Sequence, residues 1–243
     1  MSERIDELRR SLAAVRERID AACAAAGRDP GEVRLLAVTK TFPASDVAAL
    51  IDIGLRDFAE NKDQEGRGKA AEVAELRPGV PVRWHMVGRL QRNKARSVVR
   101  WADEVQSVDS ARLADALAKA VTTSRERGER DGPLDVQLQV SMDGDATRGG
   151  CPVDQVLQLV DHVTRLGEIS VRGLMTVAPR DADENETFAR LAALFERLRR
   201  DHVGLVELSA GMSGDLERGI AHGSTCVRVG TALLGGRELA SLE

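Results

Sequence analysis

Val33-Arg34-Leu35-Leu36-Ala37-Val38-Thr39-Lys40 is the stretch whose reading decides the fold. The run is too short for a helix of its own, lies between Pro30-Gly31 and Pro43, and is mostly apolar, the pattern of a fully buried strand. It ends on a lysine followed by Thr41-Phe42-Pro43, where a strand stops and a helix begins. A lysine buried at that point would lose hydration and its amine pKa would fall. A lowered pKa leaves the free amine that Schiff-base chemistry needs. Taken alone, a strand-end lysine is more often a surface residue, so the remainder of the chain has to decide its role.

Before this strand, Ile5, Leu8, Leu12, Val15, Ile19 and Ala22 form a 3.6-residue stripe that predicts a helix over 2–26, closed by Gly27. After it, strand-like runs and helical stripes alternate. Strands are expected at 33–40, 55–59, 82–87, 104–108, 134–140, 171–177, 203–208 and 225–229. Helices are expected at 44–53, 62–76, 90–101, 111–127 with Ser110 as N-cap, 153–166 and 184–200, with a short one at 215–221. A polar loop, 143–150, follows the fifth strand. Eight strands alternating with helices in 243 residues approach the roughly 250 of a typical (β/α)8 barrel. A doubly wound open sheet is the alternative, since alternation does not say whether a sheet closes. No linker or composition shift divides the chain, so one domain over 1–243 is expected, an α/β TIM barrel with an extra N-terminal helix.

Composition narrows the function classes. Hydrophobic residues make up 42% and charged residues 30%, ordinary for a globular protein. A formal net charge of −4 gives no reason to expect nucleic-acid binding. Three cysteines without CxxC spacing indicate neither a disulfide framework nor a zinc site. The charged start of the chain has no apolar signal-peptide core and no run reaches membrane-spanning length, so a cytoplasmic location without membrane attachment is expected.

In a closed barrel, active groups gather at the C-terminal strand ends and phosphate sites favour the loops after strands 7 and 8. After the seventh expected strand comes Leu208-Ser209-Ala210-Gly211-Met212-Ser213-Gly214-Asp215, where glycine amides and serine hydroxyls could meet an anion at a helix starting near Ser213. After the eighth comes Arg228-Val229-Gly230-Thr231-Ala232, opening the last helix in the same way. Either turn alone reads as an ordinary cap. On consecutive strands, beside Lys40 on strand 1, they read as a phosphate cradle next to an amine. Pyridoxal 5′-phosphate (PLP) offers an aldehyde and a phosphate at opposite sides of one ring and fits that pair. Arg228 then stands where it could donate to the ring nitrogen, keeping it unprotonated and weakening the ring as an electron sink.

These segments, with Phe58-Ala59-Glu60-Asn61, Trp84-His85-Met86-Val87-Gly88-Arg89-Leu90-Gln91 and Arg172-Gly173-Leu174-Met175, resemble the PLP homeostasis proteins, the YggS/PROSC family. The resemblance implies the barrel of the alanine racemase N-terminal domain, with Lys40 forming the internal aldimine. It further implies that Ser213, Gly230 and Thr231 hold the phosphate, Arg228 faces the pyridine nitrogen, and Asn61 and His85 form pocket wall, with Ser209 and Met212 in the cradle segment. Ala59 and Lys62 depart from the family's usual glycine and aromatic, which touches pocket-wall details only. The expected role is PLP holding and intracellular vitamin B6 homeostasis without robust turnover, with apo PLP enzymes as recipients. An amino-acid racemase is the alternative. Racemisation needs a second acid/base, a tyrosine in alanine racemase, and this chain has no tyrosine. Only six residues follow Arg237, so no C-terminal β-domain is expected, and with it a monomer. A Schiff-base aldolase ranks third for want of a nearby carboxylate and second lysine.

Of the remaining residues, His162 and His202 read as surface or structural, His222 as a helix cap in preference to a border of the cradle, Met175 and Met212 as core and pocket packing, and Cys151 and Cys226 as packing. The cations from Arg89 to Arg100 read as a solvated helix face, or as an electrostatic landing site for PLP or an acidic apo-enzyme.

Overall fold

The computed structural model describes residues 2–145, 148–179 and 181–236. Residues 146 and 147 of the polar loop, and Arg237 with the tail after it, lie outside the described residues. In chain order the elements begin with α1 (Ser2–Ala25), β1 (Arg34–Val38), α2 (Ala44–Asp52), β2 (Asp57–Glu60), α3 (Asp63–Leu76) and β3 (Arg83–Met86). Then come α4 (Ala95–Val98), β4 (Glu104–Val108), α5 (Ala111–Glu126), β5 (Leu134–Ser141), the two-residue β6 (Cys151–Pro152), α6 (Val156–Thr164) and β7 (Ile169–Met175). The chain continues with α7 (Glu184–Leu198), β8 (Glu207–Met212), α8 (Leu216–Ala221), β9 (Cys226–Val229) and α9 (Thr231–Leu234).

The strands run in the order β4-β3-β2-β1-β9-β8-β7-β5, and β5 pairs back to β4, so eight parallel strands close into a barrel; β6 is an extra pairing on β5. The open-sheet alternative is thereby excluded. β1 lies between β2 and β9, with Leu36 level with Arg228. The strand that leads to Lys40, two residues beyond its end, and the one that carries Arg228 are therefore neighbours. Among the described residues, no helix is long and apolar enough to cross a membrane.

Two expected elements moved. Residues 203–206 precede the seventh barrel strand instead of forming it, and Val203 is 90% exposed. The strand β8 runs on through Ser209-Ala210-Gly211 to Met212, although the three small residues suggest a turn. They are small because α8 presses on them: a Cβ on Gly211 would stand 3.0 Å from the Leu216 Cα, and one on Gly219 2.6 Å from the Ala210 carbonyl oxygen. The helix expected over 90–101 is a 3-10 turn, Arg92–Lys94, followed by the single turn α4. Its flanking residues Trp101 and Leu90 are buried, while the cations between point outward.

Most of the core is the apolar layer between barrel and helices, to which α1 adds Leu8, Leu12, Val15 and Ile19. The interior of the barrel is different. Leu36, Ala59 and Cys226 form a small apolar cluster there. Beneath them lies a buried ionic group of His85, Glu104, Gln106 and Gln137 with Arg34, Arg83, Asp57, Asp135 and Glu207. Charges so placed stay charged only because each has partners.

Candidate functional site

At the C-terminal end of the barrel, a cavity of about 570 Å³ opens over β1, β2, β8 and β9. Lys40, Thr41 and Phe42 line one side of it, Met212, Ser213 and Gly214 another, and Arg228, Gly230 and Thr231 a third. Val38, Asn61, Val87, Val177 and Gly235 complete the wall. The structure thus brings seven of the nine expected site residues, Lys40, Asn61, Met212, Ser213, Arg228, Gly230 and Thr231, to one cavity. His85 and Ser209 are not among its lining residues and are fully buried below it.

Lys40 is exposed rather than buried, and among the described residues it makes no hydrogen bond or ion pair. Its backbone is held from below. Thr39 donates through Oγ1 to Glu60 Oε1 at 2.6 Å and accepts at its carbonyl from Lys69 Nζ at 2.7 Å. Lys69, itself buried, also pairs with Glu60 at 2.5 Å and Glu65 at 3.1 Å. Thr41 adopts φ of 74°, a left-handed conformation that costs a β-branched residue energy, and its N–H donates to Glu65. This clamp sets the direction in which Lys40 leaves the strand. Sequence reading missed it, although Glu65 and Lys69 stand at helical i,i+4 spacing.

Arg228 is buried, and it forms no ion pair with a carboxylate among the described residues. Burial lowers its pKa from the ordinary value, and the nearby Asp215 carboxylate works against that. Its Nη2 donates to the Thr176 carbonyl at 2.6 Å and its Nη1 to Ser209 Oγ at 2.6 Å. Ser209 donates in turn to Gln106 Oε1 at 2.9 Å, and Gln106 Nε2 to Glu104 Oε1 at 3.1 Å. Every donor in this chain points the same way, so the guanidinium is tied through two neutral groups to a carboxylate. The role of Ser209 is to hold Arg228, not to line the cavity.

His85, expected as pocket wall, anchors the far end of this chain. Its Nε2 lies 3.2 Å from Asp57 Oδ1 and its Nδ1 3.3 Å from Glu104 Oε2. Burial works to lower its pKa, but hydrogen bonds to the two carboxylates raise it overall. Glu104 is desolvated as well, yet His85 and the nearby Arg34 and Arg83 bring its pKa down to about 2. A signal for this lay in the strands themselves: polar residues alternate at Glu104-Val105-Gln106 and Asp135-Val136-Gln137, marking an inward-facing row.

The cradle is built by the ends of β8 and β9. Ser213 Oγ accepts from the Ala232 N–H at 3.4 Å, which leaves the serine's own hydrogen free to donate. Its carbonyl accepts from Arg18 Nη2 of α1 at 3.0 Å, and Arg18 also grips Glu217 through two bonds. The added helix therefore pins the cradle loop from outside. The helix expected to start at Ser213 starts at Leu216 and has six residues, so Ser213 and Gly214 lie in the loop before it. Elsewhere, His222 occupies the C-cap of α8. His162 pairs with Asp115 and His202 with Asp161, both away from the cavity. Cys151 and Cys226 are buried free thiols whose pKa values burial pushes up to about 11.

A closed parallel barrel with a free lysine at the end of its first strand and a buried arginine on its last defines one class. The alanine racemase N-terminal domain family matches residues 11–238, and the chain belongs to it. Within that class it belongs with the pyridoxal phosphate homeostasis proteins. The one from Mycobacterium tuberculosis is 47% identical over 251 residues, covering 98% of this chain and 96% of that protein. The one from Escherichia coli is 36% identical over 238 residues, covering 96% and 98%. Among solved structures, PipY of Synechococcus elongatus with PLP bound is 33% identical with a TM-score of 0.79, covering 94% of this chain and all of that one. Alanine racemase of Clostridium difficile, 16% identical with a TM-score of 0.69, shares the fold over 98% of this chain and 59% of that one.

Proposed function

We propose that the cavity holds pyridoxal 5′-phosphate through Lys40 and that the protein serves PLP homeostasis by binding and releasing it. The observation that carries this reading is the convergence of a free lysine, a buried arginine and two hydroxyl-bearing turns on one cavity of suitable size, about 570 Å³. PLP supplies an aldehyde able to condense with a primary amine and a phosphate dianion that anchors it. Lys40 Nζ is the amine placed for it. Ser213 and Thr231 would donate hydroxyl hydrogens to the phosphate. Gly230 keeps the strand end open, since a Cβ there would stand 3.3 Å from the Val38 carbonyl oxygen. Arg228, with two of its donors fixed below, would present the rest of its guanidinium to the ring.

The relatives' names describe homeostasis, and the PipY structure holds PLP, which supports the same role here. The lining favours holding over turnover. Among the described lining residues, Lys40 and Arg228 are the ionisable side chains, and a guanidinium does not give up its proton, so a two-base inversion has no second base in the wall. We place the protein in the cytoplasm as a monomer that passes PLP to apo PLP enzymes; three buried free thiols fit a reducing compartment.

The cradle is tested by Thr231→Val, which keeps the shape and removes one hydroxyl donor. It should weaken PLP by about 1–3 kcal/mol while pyridoxal, lacking the phosphate, loses little, as read by titration of the visible absorbance. Equal losses for both ligands would mean that Thr231 acts through folding. The carrier role is tested by deuterium exchange at the α-carbon across a panel of amino acids. The loaded protein should lack enzyme-like exchange, since a missing acid/base group alone costs about 10²–10⁴-fold. Fast exchange abolished by Lys40→Ala would make it an enzyme.

A further inference from the structure

Beside the cavity, and meeting it at Asn61, runs a larger open groove of about 1230 Å³. Its walls are the N-terminal turn of α3, the loop and 3-10 turn after β3, and the N-terminal turn of α5. Lys62, Arg89, Arg92, Lys94 and Arg112 line it, all of them exposed. Among the described residues, none of the five makes an ion pair or side-chain hydrogen bond. Arginines elsewhere on this surface, such as Arg4, Arg18, Arg77 and Arg125, do have carboxylate partners. Two carboxylates share the groove. Asp63 is buried and accepts from Trp101 Nε1 at 3.0 Å, and Asp109 accepts from Ser110 Oγ at 3.1 Å. A second recess sharing Lys94 and Asn93 continues the stripe outward with the equally unpaired Arg67 and Arg96. A protein of net charge −4 thus keeps seven unpaired cations along one concave strip that starts at the cofactor cavity.

We infer that this groove docks an acidic segment of a partner polypeptide. Its length, running through two recesses, suits an extended chain of carboxylates better than a single small anion. It offers no stacking platform for bases, since Trp84 and Trp101 beneath it are both buried. The uncapped first turns of α3 and α5 add donors and positive dipole ends to the cations. Attraction of this kind speeds encounter and selects partners more than it deepens affinity. The docking stands on the groove alone; its purpose, bringing an acceptor to the mouth of the cavity at Asn61, rests on the PLP reading above.

The test uses the full chain, with and without PLP, and a fluorescent octaglutamate peptide read by anisotropy. The peptide should bind in both states, weaken as salt is raised, and lose at least about tenfold in affinity with the triple variant Arg89→Glu, Arg92→Glu, Lys94→Glu. The control Arg190→Glu with Arg197→Glu, on exposed α7 positions, should leave binding unchanged, and PLP absorbance should be the same in all three proteins. Absence of peptide binding, or equal losses in variant and control, would overturn the inference. An oligothymidylate that binds more tightly than the peptide and shows the same variant sensitivity would also overturn it, assigning the groove to nucleic acid. A protein that binds the peptide but never PLP would leave the docking intact and refute the cofactor reading instead.

Discussion

Lys40→Ala should reduce PLP affinity by at least about 100-fold, or about 2.8 kcal/mol, and strip the protein of ligand during dialysis. The structure separates the amine from the other contacts. Lys40 is the one amine on the β1 side of the cavity, while the two hydroxyl-bearing turns and Arg228 belong to the ends of β8 and β9. Removing the amine leaves hydrogen bonds that can be exchanged with water and takes away the one group able to bond covalently. Lys40→Arg is the sharper control, because it keeps a cation of similar reach and still cannot supply a free amine. Since Lys40 is exposed and unpaired, neither change should alter the denaturant midpoint of the unliganded protein. Retention of PLP by both variants would show that the covalent link is formed elsewhere.

Glu104→Gln should cost about 3–5 kcal/mol of stability, a large part of the roughly 5–15 kcal/mol available to a domain. Glu104 is fully buried among His85, Arg34 and Arg83, and deleting its charge leaves those cations with fewer partners inside the barrel. The same carboxylate sets a pH window. Its folded pKa of about 2 lies below the ordinary 4.5. Its contribution is therefore present above about pH 4.5 and lost as the pH falls toward 2. A depression of that size corresponds to about 3 kcal/mol. His85 has the opposite sign: with its pKa raised above 6.5, its contribution is full below that value and fades as the pH rises through the folded pKa. Urea unfolding of the wild type should show falling stability between about pH 4.5 and 2, and Glu104→Gln should flatten that limb. A loss under about 1 kcal/mol with an unchanged acid limb would mean that the barrel interior tolerates the missing charge.

How far these arguments could be made without coordinates depends on the kind of residue. The strand ending at Lys40 was legible because a short apolar run between Pro-Gly and Pro has few alternatives, and the register confirms that β1 and β9 are neighbours. Barrel closure was legible as an expectation from eight alternations, but it needed the pairing of β4 with β5. The β8 segment was misread because small residues mean turn to a local rule, whereas here they mean close approach by α8. The segment 90–101 was misread because Leu90 and Trp101 are buried at either end of a chain that makes only a 3-10 turn and a single α-helical turn. His85 was expected as pocket wall from the resemblance of its segment alone, and a segment does not say which way a strand residue points. Its neighbours Asp57 and Glu104 come from other strands, so the ionic interior is a property of the closed barrel and of no single stretch. The same holds for the clamp beneath Lys40, where Thr39 and Glu60 meet through strand pairing and Lys69 reaches in from the next helix.

Borohydride reduction of the PLP-loaded protein, followed by peptide mass mapping, tests the central claim most directly. The account predicts one pyridoxyl-modified peptide, the one containing Lys40, with none formed in Lys40→Arg. A modification found mainly at Lys62, Lys69 or Lys94, or no modification in a protein that still holds PLP, would contradict it.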